Sequence, residues 1–317
     1  MRWCSTPRLP LLLFLAFLLL IGRSSGKSPG FKICAFNTLG LNAAKAANSR
    51  VTHTLTRIVS RCDITLLQEV KDSGGSAVRA LEAALNRYSD RYDQYHYQSV
   101  SSAALGNDPK DMQQYVFIYR TETVNVTAQH QYRKPQSFVR EPFAVRFRSN
   151  KTATKDFVLV ALHTVPEKAV QEIDRLYDVF QEVSKKWNTQ NVMFLGDFNA
   201  GCAHMTRANK RQIRLFSQPG FFWLIGDKVD TTVGDGTNCP YDRIVVYGEP
   251  FLKTIKPYSA KAFNFPKEFR LQRERALKVS DHLPVEVELN SSAHLCQATP
   301  LLLLLLCVIA QSCLSAL

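Results

Sequence analysis

No aspartate, glutamate, lysine or arginine follows Glu288 in a chain of 317 residues of which 21% are charged. Beyond that point the chain holds "SSA" (291–293), a short spacer to Pro300 and the apolar run "LLLLLLCVIAQSCLSAL". A retained tail anchor would carry a basic cytoplasmic stop, and there is none. A small-residue triplet, a spacer and an apolar end form the pattern of a GPI-attachment signal, with Asn290, Ser291 and Ser292 as candidate attachment residues. The other long apolar run, "LPLLLFLAFLLLIG" (9–22), is short for a membrane span. Arg2 and Arg8 precede it, and Ser24 and Gly26 stand at cleavage distance, so residues 1–26 read as a secretory signal peptide. Between these ends there is no Pro/Ser/Gly-rich linker, no block of like charge and no internal repeat. Residues 27–290 are therefore expected to fold as one domain with a sizeable core, and 291–317 to be the attachment signal.

The want of any suitable Cys/His spacing argues against a zinc site. No Ser or Cys stands in a nucleophile signature, which leaves water as the attacking group in any hydrolysis. Of eight cysteines, Cys4 lies in the signal and Cys296, Cys307 and Cys313 in the tail. Cys34 and Cys62 sit in apolar surroundings and read as buried thiols. Cys202 and Cys239 sit in polar loops and are expected to pair, with a stabilisation of about 4 kcal/mol on the chain-entropy estimate. Sequons at Asn125, Asn150 and Asn290 suit an exported surface.

Lys and Arg number 40 against 27 acidic residues; removing Arg2, Arg8 and Arg23 with the signal leaves 37 − 27 = +10. A basic exported protein favours polyanions: nucleic acid, glycosaminoglycan or anionic membrane. Two basic runs, "TRANKRQIR" (206–214) and "FRLQRERALK" (269–278), adjoin "GDFNAGC" and "VSDHLP". A charge run is ordinarily a solvated face, but this placement weighs toward phosphate.

Apolar strand-like runs recur: "FKICAFN", "DITLLQEV", "QYVFIYR", "EPFAVRFR", "DFVLVALHT", "NVMFLGDFN", "YDRIVVYG" and "HLPVEVEL". Two stretches carry helical periodicity, one with Val51, Leu55, Ile58 and Val59 on a stripe, the other with Ile173, Leu176, Tyr177, Phe180 and Val183. Several strands adjoin without an intervening helix, which argues for two packed mixed sheets with helices outside. Polar residues stand where the runs stop: Asn37, Glu69, His163, Asp197 and Asn199, Asp242, and Asp281 with His282. Buried separately these groups would be costly, and gathered on one rim they would make a site. In "FLGDFNAGC", alternation puts Asp197 and Asn199 on one side and turns Phe198 away. Two histidines can move protons near neutral pH, and the carboxylates suit a hard divalent cation.

The motifs "ICAFN", "LLQEVKDS", "REPFAVRF", "VALHTVP", "EIDRLYDVF", "GDFNAGC", "TNCPYDRIVV" and "SDHLPVEVEL" occur in the order and spacing of the deoxyribonuclease I family, part of the endonuclease/exonuclease/phosphatase superfamily. The resemblance covers residues 31–290, and with "RCDI" and the apolar tail it is greatest to the membrane-anchored branch, DNase X. It implies an α+β fold, a four-layer αββα sandwich. The implied activity is endonucleolytic cleavage of double-stranded DNA to 5′-phosphate ends, dependent on Mg²⁺ and helped by Ca²⁺, with Mn²⁺ as a substitute. Carried over motif by motif, Glu69 is a metal ligand with Asn37 and Asp281 beside it, and His163 and His282 are the general acid/base pair. Asp242 orients His282; Asp197 and Asn199 position phosphate and water; Arg140 and Lys71 contact phosphate; Cys202–Cys239 is the family disulfide; Asp230 opens a structural calcium loop. A monomer is expected. Actin binding, a property of only some relatives, stays open.

The chain departs from the family at "ALGNDPKDMQQYVFIYR", where relatives carry an Arg and a Tyr that enter the minor groove and a Glu that orients the first histidine. Here Asn107 replaces the Arg, one residue is inserted, no Tyr precedes Tyr115, and Gln113 replaces the Glu. An amide does not raise imidazole basicity as a carboxylate does, so weakened or altered nuclease activity is expected. "RKPQSFVREP" also lacks the short disulfide loop of some relatives, and with it a second calcium site. Two other readings remain: a phosphodiesterase on sphingomyelin or an inositol phosphate, and a cell-surface DNA-binding protein with weak catalysis.

Overall fold

A computed structural model describes residues 30–292 except 93, 94 and 235. The segment expected to be a signal peptide (1–26) and the expected attachment signal beyond Ser292 lie outside the described residues. The strands, in chain order, are β1 (Phe31–Leu41), β2 (Ile64–Val70), β3 (Tyr97–Ser101), β4 (Gln114–Arg120), β5 (Asn125–Gln131), β6 (Phe143–Arg148), β7 (Asp156–Ala161), β8 (Val192–Asp197), β9 (Phe221–Trp223), β10 (Asp242–Tyr247), β11 (Lys261–Ala262) and β12 (Val285–Leu289). They form two six-stranded sheets, ordered β11-β12-β1-β2-β4-β3 and β5-β6-β7-β8-β10-β9. Both are mixed: β1 with β2 and β7 with β8 run parallel, and the other pairs are antiparallel.

The period of two along each strand divides the side chains between two cores. Ile33, Ala35, Leu66, Phe117, Phe147, Leu159, Met193, Leu195, Ile244 and Val287 fill the space between the sheets. Their outward-facing neighbours wait for helices. Phe36, Leu67, Val116 and Ile118 meet helices α2 (Ser49–Val59) and α3 (Ser76–Tyr92), which follow the short α1 (Ala43–Ala47), through Val51, Leu55, Ile58, Leu81 and Leu85. Val158, Val160, Phe194 and Val245 meet α4 (Ala169–Trp187) through Ile173, Leu176, Val179 and Val183. The αββα sandwich expected from the motifs is the fold observed. Helix α2 starts where Asn48 Oδ1 accepts from the Arg50 and Val51 amides. Helix α4 ends at Asn188 in the left-handed conformation.

The cysteine reading needs one correction. Cys34 and Cys62 are not free thiols but a disulfide, with Cα atoms 6.2 Å apart. Parallel pairing of Ile33 with Ile64 brings Cys34 beside the segment that enters β2. That proximity comes from sheet register, which local composition does not reveal. Cys202–Cys239 forms as expected.

Candidate active site

Strands running in and strands running out share one rim. β1, β2, β7 and β8 end there, while β4, β6, β10 and β12 begin there. Every strand-end residue singled out in the sequence is thereby delivered to the same edge of the sandwich.

Asp197, the last residue of β8, sits at the centre and is 2% exposed. Its Oδ2 accepts from Asn37 Nδ2 at 3.1 Å and faces His163 Nε2 at 3.5 Å and His282 Nε2 at 3.6 Å. Its Oδ1 accepts from the Asn199 amide at 3.0 Å. Phe198 turns into the α4-side core as alternation requires, edge-on to Trp223. Asn199 has φ +47° and donates Nδ2 to the Thr164 carbonyl at 3.1 Å, fixing the turn after His163.

The two histidines are held differently. His282 Nδ1 lies 2.8 Å from Asp242 Oδ2, and Asp242 is fully buried at the start of β10. Burial alone would lower the His282 pKa, but the Asp242 and Asp197 carboxylates outweigh it and raise it to about 10. His163 Nδ1 lies 3.1 Å from Gln113 Oε1, a neutral partner. Burial therefore dominates, against the opposing Asp197 charge, and lowers the His163 pKa to about 3. One imidazole is kept charged and the other neutral, the separation that divides an acid from a base.

Gln113 is itself fixed. Its Nε2 donates to Asp111 Oδ1 at 3.4 Å, and Asp111 pairs with Lys71 Nζ at 2.6 Å. The Lys71 hydrogen bond holds the Asp111 carboxyl below its ordinary pKa. A carboxylate only accepts, so the amide nitrogen must face Asp111 and the amide oxygen His163. His163 then carries its proton on Nδ1 and presents a bare Nε2 to the rim. Lys71, expected as a phosphate contact, is also the cation of this relay.

Glu69 occupies a bulge in β2 with φ +55°, which turns its side chain to the rim out of strand alternation. Burial raises its pKa, Lys71 opposes, and the Asp197 and Asp281 charges raise it further. Asp281 is half exposed with Oδ1 4.0 Å from His282 Nε2. Asn37, Glu69 and Asp281 are oxygen donors of the type a hard divalent cation takes; Asn37 bonds to Asp197, and Glu69 feels the charges of Asp197 and Asp281. Asp197, Asp242 and His282 also lie close enough together to hold a metal ion. There, however, His282 Nδ1 is already bonded to Asp242. Asp242 Oδ1 is buried without a hydrogen-bond partner.

Arg140 is buried and donates Nε to the His163 carbonyl and Nη2 to the Thr164 carbonyl, both at 3.2 Å. Asp230 Oδ1 accepts from the Thr232 amide and hydroxyl and from the Cys239 amide, which closes its loop; position 235 of that loop lies outside the described residues. Asn125 and Asn150 are exposed and Asn290 half-buried.

Sequence reading missed the residues that join the parts. Gln68 donates to the Leu162 carbonyl at 2.7 Å and accepts from the Asp197 amide at 3.0 Å, tying the two sheets beneath the site. An amide inside the apolar run "ITLLQEV" was the available signal. Tyr115 Oη accepts from the His163 amide at 2.8 Å, and Ser280 Oγ donates to the Asn37 carbonyl at 2.7 Å.

The Endonuclease/Exonuclease/phosphatase family model matches residues 34–282. Mouse deoxyribonuclease gamma is 42% identical over 283 residues, 88% of this chain and 90% of that protein. Human deoxyribonuclease-1-like 1, of the branch expected from the motifs, is 44% identical over 278 residues, 87% and 90% of the two chains. Among solved structures, the catalytic domain of human Nocturnin superposes with a TM-score of 0.57 at 13% identity, over 83% of this chain and 95% of that one. D. rerio TDP2 in complex with a single-strand DNA product gives 0.55 at 15% identity, over 83% and 100%. These two likenesses concern the fold alone. With the family motifs brought to one rim and the match running through them, the chain belongs to the endonuclease/exonuclease/phosphatase family and, within it, to the deoxyribonuclease I group of enzymes.

Proposed function

We propose that the protein is a metal-dependent endonuclease that hydrolyses phosphodiester bonds of double-stranded DNA to 5′-phosphate ends. One observation carries this reading: two imidazoles, one driven neutral and one driven charged, face the same carboxylate oxygen within 3.6 Å. The substrate assignment is supported by the curated deoxyribonuclease relatives and by the excess of basic residues.

In this reading a water proton passes to His163 Nε2 as the water oxygen bonds to phosphorus. The P–O3′ bond breaks, and His282 Nε2 gives its proton to the departing O3′. His282 is then restored by solvent, with Asp242 holding its ring in place throughout. Asp197 and Asn199 orient water and phosphate, and Arg140 and Lys71 add positive charge nearby. Glu69, Asn37 and Asp281 would hold Mg²⁺ (or Mn²⁺), which supplies offset for the negative charge developing on the phosphate. The Asp230 loop is assigned to a structural Ca²⁺. The protein is exported as a monomer and attached by a C-terminal lipid to the outer face of the plasma membrane.

Plasmid nicking by the purified enzyme with Mg²⁺ and Ca²⁺, beside His163→Ala and EDTA controls, tests the activity. Cleavage abolished by both controls is expected. A folded, DNA-binding protein that does not cleave would instead favour a surface DNA receptor with weak catalysis.

A further inference from the structure

We propose that the end of the sandwich opposite the active rim is a membrane-docking face, with Tyr258 as its interfacial anchor and the active site turned away from the bilayer. The proposal rests on the lipid-attachment reading and adds an orientation and a contact surface to it.

Two strands fix the polarity. His282 stands before β12 at the rim, and β12 runs five residues away from it to Leu289, a rise of about 17 Å. His163 follows β7 at the rim, and the turn before β7, at the far end, bridges the C-terminal segment through Thr152 and Ser291. Ser292 is bonded to that turn twice, its amide to the Lys151 carbonyl and its Oγ to the Asn150 carbonyl. On the other side, the Asn290 amide donates to the Thr254 carbonyl. The chain therefore leaves the fold between 150–154 and 253–254, so a lipid attached at Asn290, Ser291 or Ser292 would lie at this end of the sandwich.

Beside this exit stands the most exposed large hydrophobic side chain among the described residues. Tyr258 is 103% exposed and has φ +59°. Its loop is pinned on both sides, by Lys256 N to the Glu288 carbonyl and by Glu288 N to Ser259 Oγ. A tyrosine in a left-handed turn, projected clear of its own protein, has no folding reason to be there. An aromatic ring with a polar tip is the side chain that settles at headgroup depth. Lys253, Lys256 and Lys261 surround it with side chains 60–76% exposed, and Lys151 and Lys155 lie exposed across the exit. Glu249 and Glu288 pair with Lys253 and Lys256, and buried Glu286 with Lys261, so the basic excess of this face toward lipid phosphates rests on Lys151 and Lys155. The partner is a phospholipid surface, chosen over a protein because the chain itself is tethered there.

The test uses the full lipid-anchored protein reconstituted into phosphatidylcholine vesicles containing a headgroup nitroxide lipid. Tyr258→Trp places a reporter on the proposed face and Leu39→Trp places one on the rim, where Leu39 is 41% exposed. Each variant also carries Asn150→Gln so that the sequon at the exit cannot be modified. Nitroxide lipid is expected to quench the added emission of Tyr258→Trp at least twofold and to leave that of Leu39→Trp unchanged. A Lys253→Glu, Lys256→Glu pair should lower the quenching, and Tyr258→Ser should leave the nicking rate in detergent unchanged. Quenching at Leu39→Trp alone, or at neither position in vesicle-bound protein, overturns the docking face while the anchor stands. Protein that partitions away from vesicles altogether overturns the anchor reading and the docking face with it.

Discussion

At the scale of single residues, the bond between Asp242 Oδ2 and His282 Nδ1 carries most of the consequence. Replacing Asp242 with Asn keeps a hydrogen-bonding group of the same shape but removes the charge that raises the His282 pKa. Loss of a positioned general acid lowers kcat by about 10²–10⁴-fold, with KM for plasmid unchanged; a loss under threefold would remove His282 from the acid role. The same variant has a stability signature. The His282 pKa rises from 6.5 to about 10 on folding, so its stabilisation is complete below pH 6.5 and is lost as pH rises through 10. Denaturant midpoints at pH 7 and pH 10 should differ for this reason in the parent and much less in Asp242→Asn. On the other histidine, Gln113→Glu gives His163 a carboxylate but sets it against Asp111, which already accepts from position 113. Gln113→Glu should therefore raise kcat little alone and severalfold with Asp111→Asn; equal gains in both backgrounds would deny the relay. Asn37, Glu69, His163, Asp197, Asn199, Asp242 and His282 were legible because each interrupts an apolar run at its end. Asp111 was not, since it lies in a polar insertion where one more Asp carries no signal. Gln68 was overlooked because it adjoins the more conspicuous Glu69.

Elements place these residues through a few backbone positions that ordinary strand geometry does not allow. Gly196 has φ +135°, and a Cβ there would stand 2.3 Å from the Leu162 carbonyl oxygen and 2.4 Å from Gln68 Nε2. Those are the atoms through which β2, β7 and β8 meet directly under Asp197. Gly196→Ala should cost at least the about 1–3 kcal/mol of a strained backbone position. It should also reduce kcat more than tenfold by pushing Asp197 off its two histidines. An unchanged denaturant midpoint would show that the sheets can part there without cost. Strand and helix identities followed from periodicity where burial is one-sided or complete: β8, β10 and β12 as apolar runs, α2 and α4 as stripes. Helix α3 was not singled out, because in "SAVRALEAALNRYSDRY" its apolar stripe is diluted by alanine and polar residues. β5 escaped as well, since this edge strand buries no residue fully and reads as polar loop. The bulge that gives Glu69 its positive φ has no local sequence mark and arises from register shifts against both β1 and β4.

Across the whole molecule, the two disulfides divide the tasks of stability and activity. Cys34–Cys62 closes a separation of 28 residues near the start of β2, away from the rim, and on chain entropy contributes about 3.6 kcal/mol. Cys202–Cys239 closes 37 residues at the rim itself, for a comparable contribution of about 3.9 kcal/mol. It joins the segment after Asn199 to the segment before Asp242, and so spaces the groups proposed to position phosphate and to orient the acid across β8 and β10. Exposure separates them too: both members of the first pair are buried, whereas Cys202 is exposed. A thiolate must reach a sulfur to exchange with it, so a mild thiol reductant should open Cys202–Cys239 first. Alkylation followed by peptide mapping should then find label on Cys202 and Cys239 while Cys34 and Cys62 remain joined. Nicking should fall at that stage although the far-ultraviolet circular dichroism is still native. The paired variant Cys34→Ala, Cys62→Ala should show the reverse, a lower denaturant midpoint with kcat retained. Simultaneous labelling of all four cysteines would mean that opening the rim disulfide unfolds the domain, and the rim would then depend on its disulfide for more than spacing.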